Sequence, residues 1–276
     1  MLLGGIEAGG TKWVCAVGTG AGDIVDETVF PTGAPEETLA RAVAFLTRSG
    51  PLDAVGIGSF GPVDLRHGRI GATPKPGWQG VDLVSAFDVP VALDTDVNAA
   101  AIGEHRFGAA AGIDTFVYVT VGTGIGGGAV VDGRLLHGLA HPEMGHMRIP
   151  HDRERDPFPG VCPSHGDCLE GLASGVALKA RGVPSLELEA EYLALGLLNL
   201  VTVLSPQLIV LGGGVMKEKG LLERVRGRMP ELAAGYIALP DVVPPALGDR
   251  SGVLGALELA RRLSPAVEGR ASGRRR

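Results

Sequence analysis

Two stretches of this chain resemble one another, and that repetition constrains the fold more than any single motif. GGIEAGGTKWVCAVGTGAGDIV lies near the start, and TFVYVTVGTGIGGGAVVDGRLLHG begins at Thr115. Each is an apolar run, a glycine turn, a second apolar run and another turn. Short β-branched runs punctuated by glycine read as strand, turn, strand. A unit that recurs within one chain reads as a duplicated architecture. The pattern predicts two α/β halves with a break near Gly112: residues 1–112 and 113–276, the closing helix being able to pack back on the first half.

Between the repeats the elements alternate. Strands are expected over Leu2–Glu7, Lys12–Thr19, Ile24–Pro31, Ala54–Phe60 and Pro90–Asp96. Pro35–Arg48 has helical spacing, with Leu39, Val43 and Leu46 on one face, and a further helix runs through VNAAAIGEHRFG. In the second half Glu187–Leu204 reads as a long helix, Gln207–Leu211 as a strand, and Ser251–Leu263 as the closing helix. The longest apolar stretch, YLALGLLNLVTVL, is interrupted by Asn199 and Thr202 and stops at Ser205-Pro206. That is too short for a bilayer and reads as a buried helix.

The 276 residues carry a net charge of −6, so no general basic field favours nucleic acid. Only the tail GRASGRRR is basic, and such a run reads as solvated. The N-terminus lacks a signal-peptide pattern. Three cysteines without an export signal argue against a disulfide framework. The expected compartment is the cytoplasm, with no membrane partner.

Three glycine turns follow predicted strands: Gly9-Gly10-Thr11-Lys12, Gly122 to Gly128, and Gly212-Gly213-Gly214. Backbone N–H groups in such turns can converge on phosphate oxygens. Any one of them could be only a sharp hairpin; three together point to a nucleotide. There is no P-loop motif. GTGIGG matches G-x-G-x-x-G, but a dinucleotide fingerprint opens a helix, and here a strand follows.

LDTDVNAAAIGEHRFG puts Asp94 and Asp96 at the end of an apolar strand. Asp96 can be read as a helix N-cap or as a general base that takes the proton of a hydroxyl nucleophile. In EMGHMRIPHDRERDPFPGVCPSHGDCLEG, Cys162, His165 and Cys168 follow one another at three-residue steps, with His146 upstream. Two thiolates and two imidazoles form a closed, structural zinc set; the alternative is a buried cysteine pair with surface histidines. Zinc there would tie the segment carrying Glu143 to the segment carrying Glu170. The intervening HDRERDP reads as a solvated excursion, Cys15 as core, and His67, His141 and His151 take no assigned role.

The segments GGIEAGGTKWVCAVG, GSFGPVDL, TPKPGW, LDTDVNAAAIGE, VTVGTGIGGG, HPEMGH, CPSHGDCLEGLASG and IVLGGGV together resemble the ROK family of sugar kinases, and within it the zinc-containing bacterial fructokinases. The resemblance runs from Gly4 to about Val215 and more weakly through GVLGAL. It implies a duplicated actin-like, ribonuclease-H-like α/β fold of two lobes around a cleft. It implies ATP and Mg2+, with transfer of the γ-phosphoryl group to a hexose, most simply fructose, with mannose or glucose as other acceptors. By resemblance Asp96 is catalytic. Glu143, His146, Glu170, Gly61 and Thr95 are on the sugar side. Gly9, Gly10, Thr11, Lys12, Gly122, Thr123, Gly124, Ser174, Gly212 and Gly213 are on the nucleotide side, and a homodimer is expected. Glu7 and Thr95 stand where many members have Asp and Asn, changes shared by the fructokinase-like members. Val176 replaces a usual proline. The family also holds sugar-responsive repressors, which need a DNA-binding module before the sugar domain; a first strand starting at Leu2 leaves no room for one. A zinc-ribbon interaction module does not account for three glycine loops.

Overall fold

The computed structural model describes residues 1–182 and 185–263. It resolves into two compact units. The first comprises Met1–Gly112, His137–His141 and residues 246–263; the second comprises Ile113–Leu136 and Pro142–Pro245. The closing helix therefore belongs with the first half of the chain, as does a five-residue excursion from the second. The basic tail lies outside the described residues.

In the first unit β1 (Leu3–Ala8), β2 (Lys12–Gly18) and β3 (Asp26–Pro31) form an antiparallel meander. Helix α1 (Pro35–Thr47) leads to β4 (Ala54–Ser59). The short ribbon β5 (Val63–Asp64) and β6 (Arg69–Ile70) precedes β7 (Val91–Thr95) and helix α2 (Asp96–Phe107). The sheet order is β3-β2-β1-β4-β7, with β1, β4 and β7 parallel. One face packs on Trp13, Phe30, Phe60 and Trp78, whose rings lie 5.5–6.4 Å apart. Burying such large rings is the main apolar gain of this core.

The second unit repeats the order. Strands β8 (Phe116–Val121), β9 (Ile125–Val131) and β10 (Arg134–Leu135) form the meander. The short helices α3 (Leu169–Ala173) and α4 (Gly175–Arg181) precede the long α5 (Leu186–Leu204) and β11 (Leu208–Gly212). Helix α6 (Leu221–Ala233) and β12 (Asp241–Val243) follow. The sheet order is β10-β9-β8-β11-β12, with β8, β11 and β12 parallel. Helix α5 is capped by the Ser185 hydroxyl and ends at Ser205, in the left-handed region at φ 46°. It is apolar because it is packed on several sides. Among the described residues no helix is long and apolar enough to cross a membrane.

Helix α7 (Ser251–Arg262) lies against α2 and the first sheet. The approach is backbone to backbone: a methyl group at Gly255 would overlap the Ala99 carbonyl oxygen, and one at Gly103 the Ser251 carbonyl oxygen. The fully buried Glu104 fastens the return of the chain. Its carboxylate accepts hydrogen bonds from the backbone N–H groups of Ala109 (2.7 Å), Ala246 (3.1 Å) and Leu247 (3.0 Å), and from the Ser251 hydroxyl (2.7 Å).

The segment His151–Pro157 differs from its sequence reading as a solvated excursion. The Asp156 carboxylate is buried and accepts from Tyr192 (2.7 Å) and Arg181 (3.0 Å). His151 bridges the Asp156 carbonyl at 3.0 Å and the Asp167 carboxylate at 3.2 Å, and Arg155 forks onto Glu191. Charges of this density stay folded when each finds a partner.

Candidate active site

Parallel strands end at one edge of a sheet, and ligands of open α/β sheets bind outside that carboxyl edge. In the first unit Glu7, Gly58 and Asp94 pair across β1, β4 and β7, and Ala8, Ser59 and Thr95 follow in register. The turn Gly9–Lys12, the loop at Phe60-Gly61 and the start of α2 at Asp96 therefore leave from one edge. The turn is closed by a Gly9 N–H to Lys12 O bond of 3.0 Å and held by Thr32, whose hydroxyl donates to the Gly9 carbonyl at 2.7 Å.

Thr95, not Asp96, caps α2. Its hydroxyl accepts from the Asn98 N–H at 3.1 Å, and Asp96 is the first helical residue. The cap reading of Asp96 thus belongs to its neighbour, because the helix starts one residue earlier than a cap at Asp96 requires. Thr95 is buried with its hydroxyl engaged in this cap. Gly58 lacks the side chain that would press on Ala99 and Asp96. Beside Asp96 stands Glu7, whose Oε2 is buried without a hydrogen-bond partner. Burial, then the like charge of Asp96, pushes the Glu7 carboxyl up to about 7, against the pull of Lys12.

In the second unit β8 and β11 end side by side, Thr120 opposite Gly212. The Gly122 carbonyl accepts from Gly175 N–H at 2.8 Å, and the Thr123 carbonyl from Val176 N–H at 3.4 Å. Gly213 takes φ +99° and lies so close to Val121 that no side chain fits. The three predicted segments around Gly122–Gly124, Ser174 and Gly212-Gly213 are thus brought to one edge. Ser174 is buried, and its hydroxyl caps α4 by accepting from Ala177 N–H at 3.2 Å.

His146, Cys162, His165 and Cys168 converge, their four donor atoms all within 4.8 Å of one another. His146 Nδ1 lies 3.5 Å from Cys162 Sγ, 3.6 Å from Cys168 Sγ and 3.3 Å from His165 Nδ1; His165 Nδ1 lies 3.7 Å from Cys162 Sγ. Tetrahedral zinc, with metal–nitrogen distances of about 2.0–2.1 Å and metal–sulfur distances of about 2.3 Å, gives edges of about 3.3 Å between nitrogens and about 3.6 Å between nitrogen and sulfur. The donor set and these spacings fit zinc. The buried thiol of Cys168 is pushed up to about 11, chiefly by burial, and a cation at the centre is what would favour its thiolate.

The acids follow from the cluster. His146 directs Nδ1 into it, and its Nε2 lies 4.0 Å from Glu170 Oε1. The other oxygen of Glu170 accepts from the Ile125 N–H of the glycine turn at 2.9 Å. Glu170 therefore links the Cys/His knuckle to the turn at Gly122–Gly124. Glu143 is exposed at the start of the same knuckle, its carbonyl accepting from His146 N–H at 3.0 Å. Gly145 lies against the Ile125 carbonyl, where a methyl group would not fit.

The ROK family model matches residues 3–187 and 181–263. The chain belongs to the ROK family. A fructokinase of Zymomonas mobilis is 44% identical over 94% of this chain and 96% of its own length. The ROK hexokinase structure from Thermus thermophilus superposes with a TM-score of 0.79 at 31% identity, covering 95% of this chain and 98% of that one. A ROK family glucokinase of Streptomyces griseus, solved with glucose and AMPPNP, gives 0.80 at 28%, covering 95% and 100%. The repeated sheet order is the duplicated actin-like ATPase fold of ROK kinases.

Two histidines escaped the sequence reading. His137 Nε2 lies 2.9 Å from Asp94 Oδ2, and His141 Nε2 accepts from Val63 N–H at 3.0 Å. Their partners are 43 and 78 residues away in sequence, so no local pattern announces them.

Proposed function

We propose that this ROK protein is an ATP-dependent fructokinase, transferring the γ-phosphoryl group of ATP to D-fructose to give fructose 6-phosphate and ADP. The observation that carries the kinase reading is the edge of the first unit, where Asp96 leaves the sheet beside the glycine turn Gly9–Lys12. Asp96 accepts the proton of the attacking sugar hydroxyl as the new O–P bond forms and the bond to the ADP oxygen breaks. Gly9, Gly10, Thr11 and Lys12, with Gly122, Thr123, Gly124, Gly212 and Gly213, offer backbone N–H groups and one ammonium to the nucleotide. Ser174 supports that side by capping α4. The 44% identity to the Zymomonas enzyme supports fructose as acceptor.

Glu143, His146 and Glu170 are the residues assigned to the sugar. His165, Cys162, Cys168 and the Nδ1 of His146 would hold a structural zinc, which when bound would fix the ring with its Nε2 toward Glu170. The unpartnered oxygen of Glu7, beside the negative charges of Asp96 and Asp249, fits a divalent cation. Glu7 would hold Mg2+, which when bound offsets the negative charge of the phosphates.

A coupled ADP-release assay over fructose, mannose and glucose, with and without magnesium, tests the reading. The expected result is magnesium-dependent turnover with the highest kcat/KM for fructose. A higher kcat/KM for glucose or mannose overturns the acceptor assignment. Sugar binding without ADP release for any acceptor overturns the kinase assignment in favour of a sugar-sensing regulator.

A further inference from the structure

We propose that His137 is a positioning residue for phosphoryl transfer, setting Asp96 through Asp94; the inference rests on the general-base reading of Asp96.

The strap His137–His141 belongs with the first unit although the segments on either side of it belong to the second. A histidine fastens each of its ends. His141 Nε2 accepts from Val63 N–H at 3.0 Å, and His137 Nε2 contacts Asp94 Oδ2 at 2.9 Å. Between them Leu139 is 94% exposed. Polar bonds at the two ends, not apolar packing at the middle, hold the strap where it is.

Asp94 is the reason these contacts bear on chemistry. It is 4% exposed, and its Oδ1 accepts from the Thr95 N–H at 2.8 Å and the Asn98 side-chain amide at 2.7 Å. One carboxylate thus holds the last residue of β7 and the first turn of α2, with Asp96 between the two anchors. His137 supplies the donor to the remaining oxygen. An Nε2–H is required, because an imidazole lone pair facing a carboxylate would repel it.

Without that donor Asp94 keeps a buried, unpaired oxygen near the negative charge of Asp96. A buried charge that loses its partner seeks another. The nearest donors are those that fix the first turn of α2, so the shift falls on Asp96. A misplacement of about 1 Å at a reacting group can cost about 10²-fold in rate. The polar groups that face His137 Nε2 are Asp94 Oδ2 and, at 3.3 Å, the Asn98 side-chain nitrogen, not those of the glycine turns, so nucleotide binding should be spared.

Steady-state kinetics and thermal melts of His137→Ala, His137→Gln, Asp96→Asn and the Asp96→Asn/His137→Ala double variant test this. His137→Ala should lower kcat by about tenfold or more while KM for ATP stays within about twofold. His137→Gln, which restores an N–H donor, should recover most of the loss. In the Asp96→Asn background, His137→Ala should cost less than about twofold, since residues acting as one unit are not additive. If the alanine variant unfolds, His137→Met, with similar bulk and no donor, carries the same test. Unchanged kcat, a loss confined to the KM for fructose, failure of glutamine to rescue, or equal losses in both backgrounds would each overturn the proposal. Normal turnover of Asp96→Asn alone would instead sink the base assignment beneath it.

Discussion

Glu189 on α5 is a carboxyl group with no hydrogen-bond partner on either oxygen, and it is 1% exposed. Burial pushes it up to about 8, with Arg181 pulling weakly the other way. The unfolded chain ionises this group near 4.5 and the folded chain near 8. The folded state therefore binds the extra proton between those values. Stability falls as pH rises through that window, by roughly 1.4 kcal/mol per pH unit at the steepest. Below about 4.5 both states are protonated and the penalty vanishes. Glu189→Gln should raise the melting temperature at pH 8 and bring the two curves together near pH 5; an equal gain at both pH values would reject this. Asp96 calls for a different test. Asp96→Asn should lower kcat by about 10² or more, in the range for a lost general base. Folding should be kept, because Thr95 does the capping. Near-normal turnover would defeat the assignment.

At the scale of elements, α2 and α7 lie so close that glycine is required at their crossing. Gly255→Ala would put a methyl group into the Ala99 carbonyl and 3.1 Å from the Gly103 nitrogen. Backbone on both sides cannot yield as a side-chain tip can. The expected loss is about 1–3 kcal/mol or more, read as a shift in the urea midpoint. Gly227 in α6 is the contrast. It meets nothing within 4 Å, so Gly227→Ala should stabilise by about 0.4–1 kcal/mol, mostly by restricting the unfolded chain. Equal effects at the two sites would mean that the helix crossing is looser than the structure shows.

For the molecule as a whole, the test is whether the Cys/His cluster holds together the acids proposed for the sugar. Cys168→Ser should remove zinc and raise KM for fructose, because His146 and Glu170 lose their common anchor. KM for ATP should change less, since the cluster reaches the nucleotide-side turns only at Gly122–Gly124, through Glu170, while Gly9–Lys12 lies outside its unit. Metal analysis of the wild type should find about one zinc per chain, as four ligands make one tetrahedral site. A zinc-free variant with unchanged fructose affinity would refute the organising role. So would zinc-free wild type at full activity.

The repeat of strand, glycine turn and strand was legible because apolar runs and glycine turns are local chemistry. For that reason the predicted strands fall within two residues of the observed ones at either end. The Cys/His cluster was legible because its four side chains sit at close spacing between His146 and Cys168. Which nitrogen of His146 turns inward was decided only by the fold, which sets the ring beside Glu170. The helix boundary that moves the cap from Asp96 to Thr95 depends on one hydrogen bond. Composition made residues 151–157 look solvated, yet Arg181 and Tyr192, 25 and 36 residues beyond Asp156, bury its charge. The same holds for Glu104, whose backbone partners Ala246 and Leu247 lie 142 and 143 residues away. Patterns within a few residues reveal what each segment can form; a buried carboxylate takes whichever donor the chain returns to it, and only tertiary packing chooses that donor.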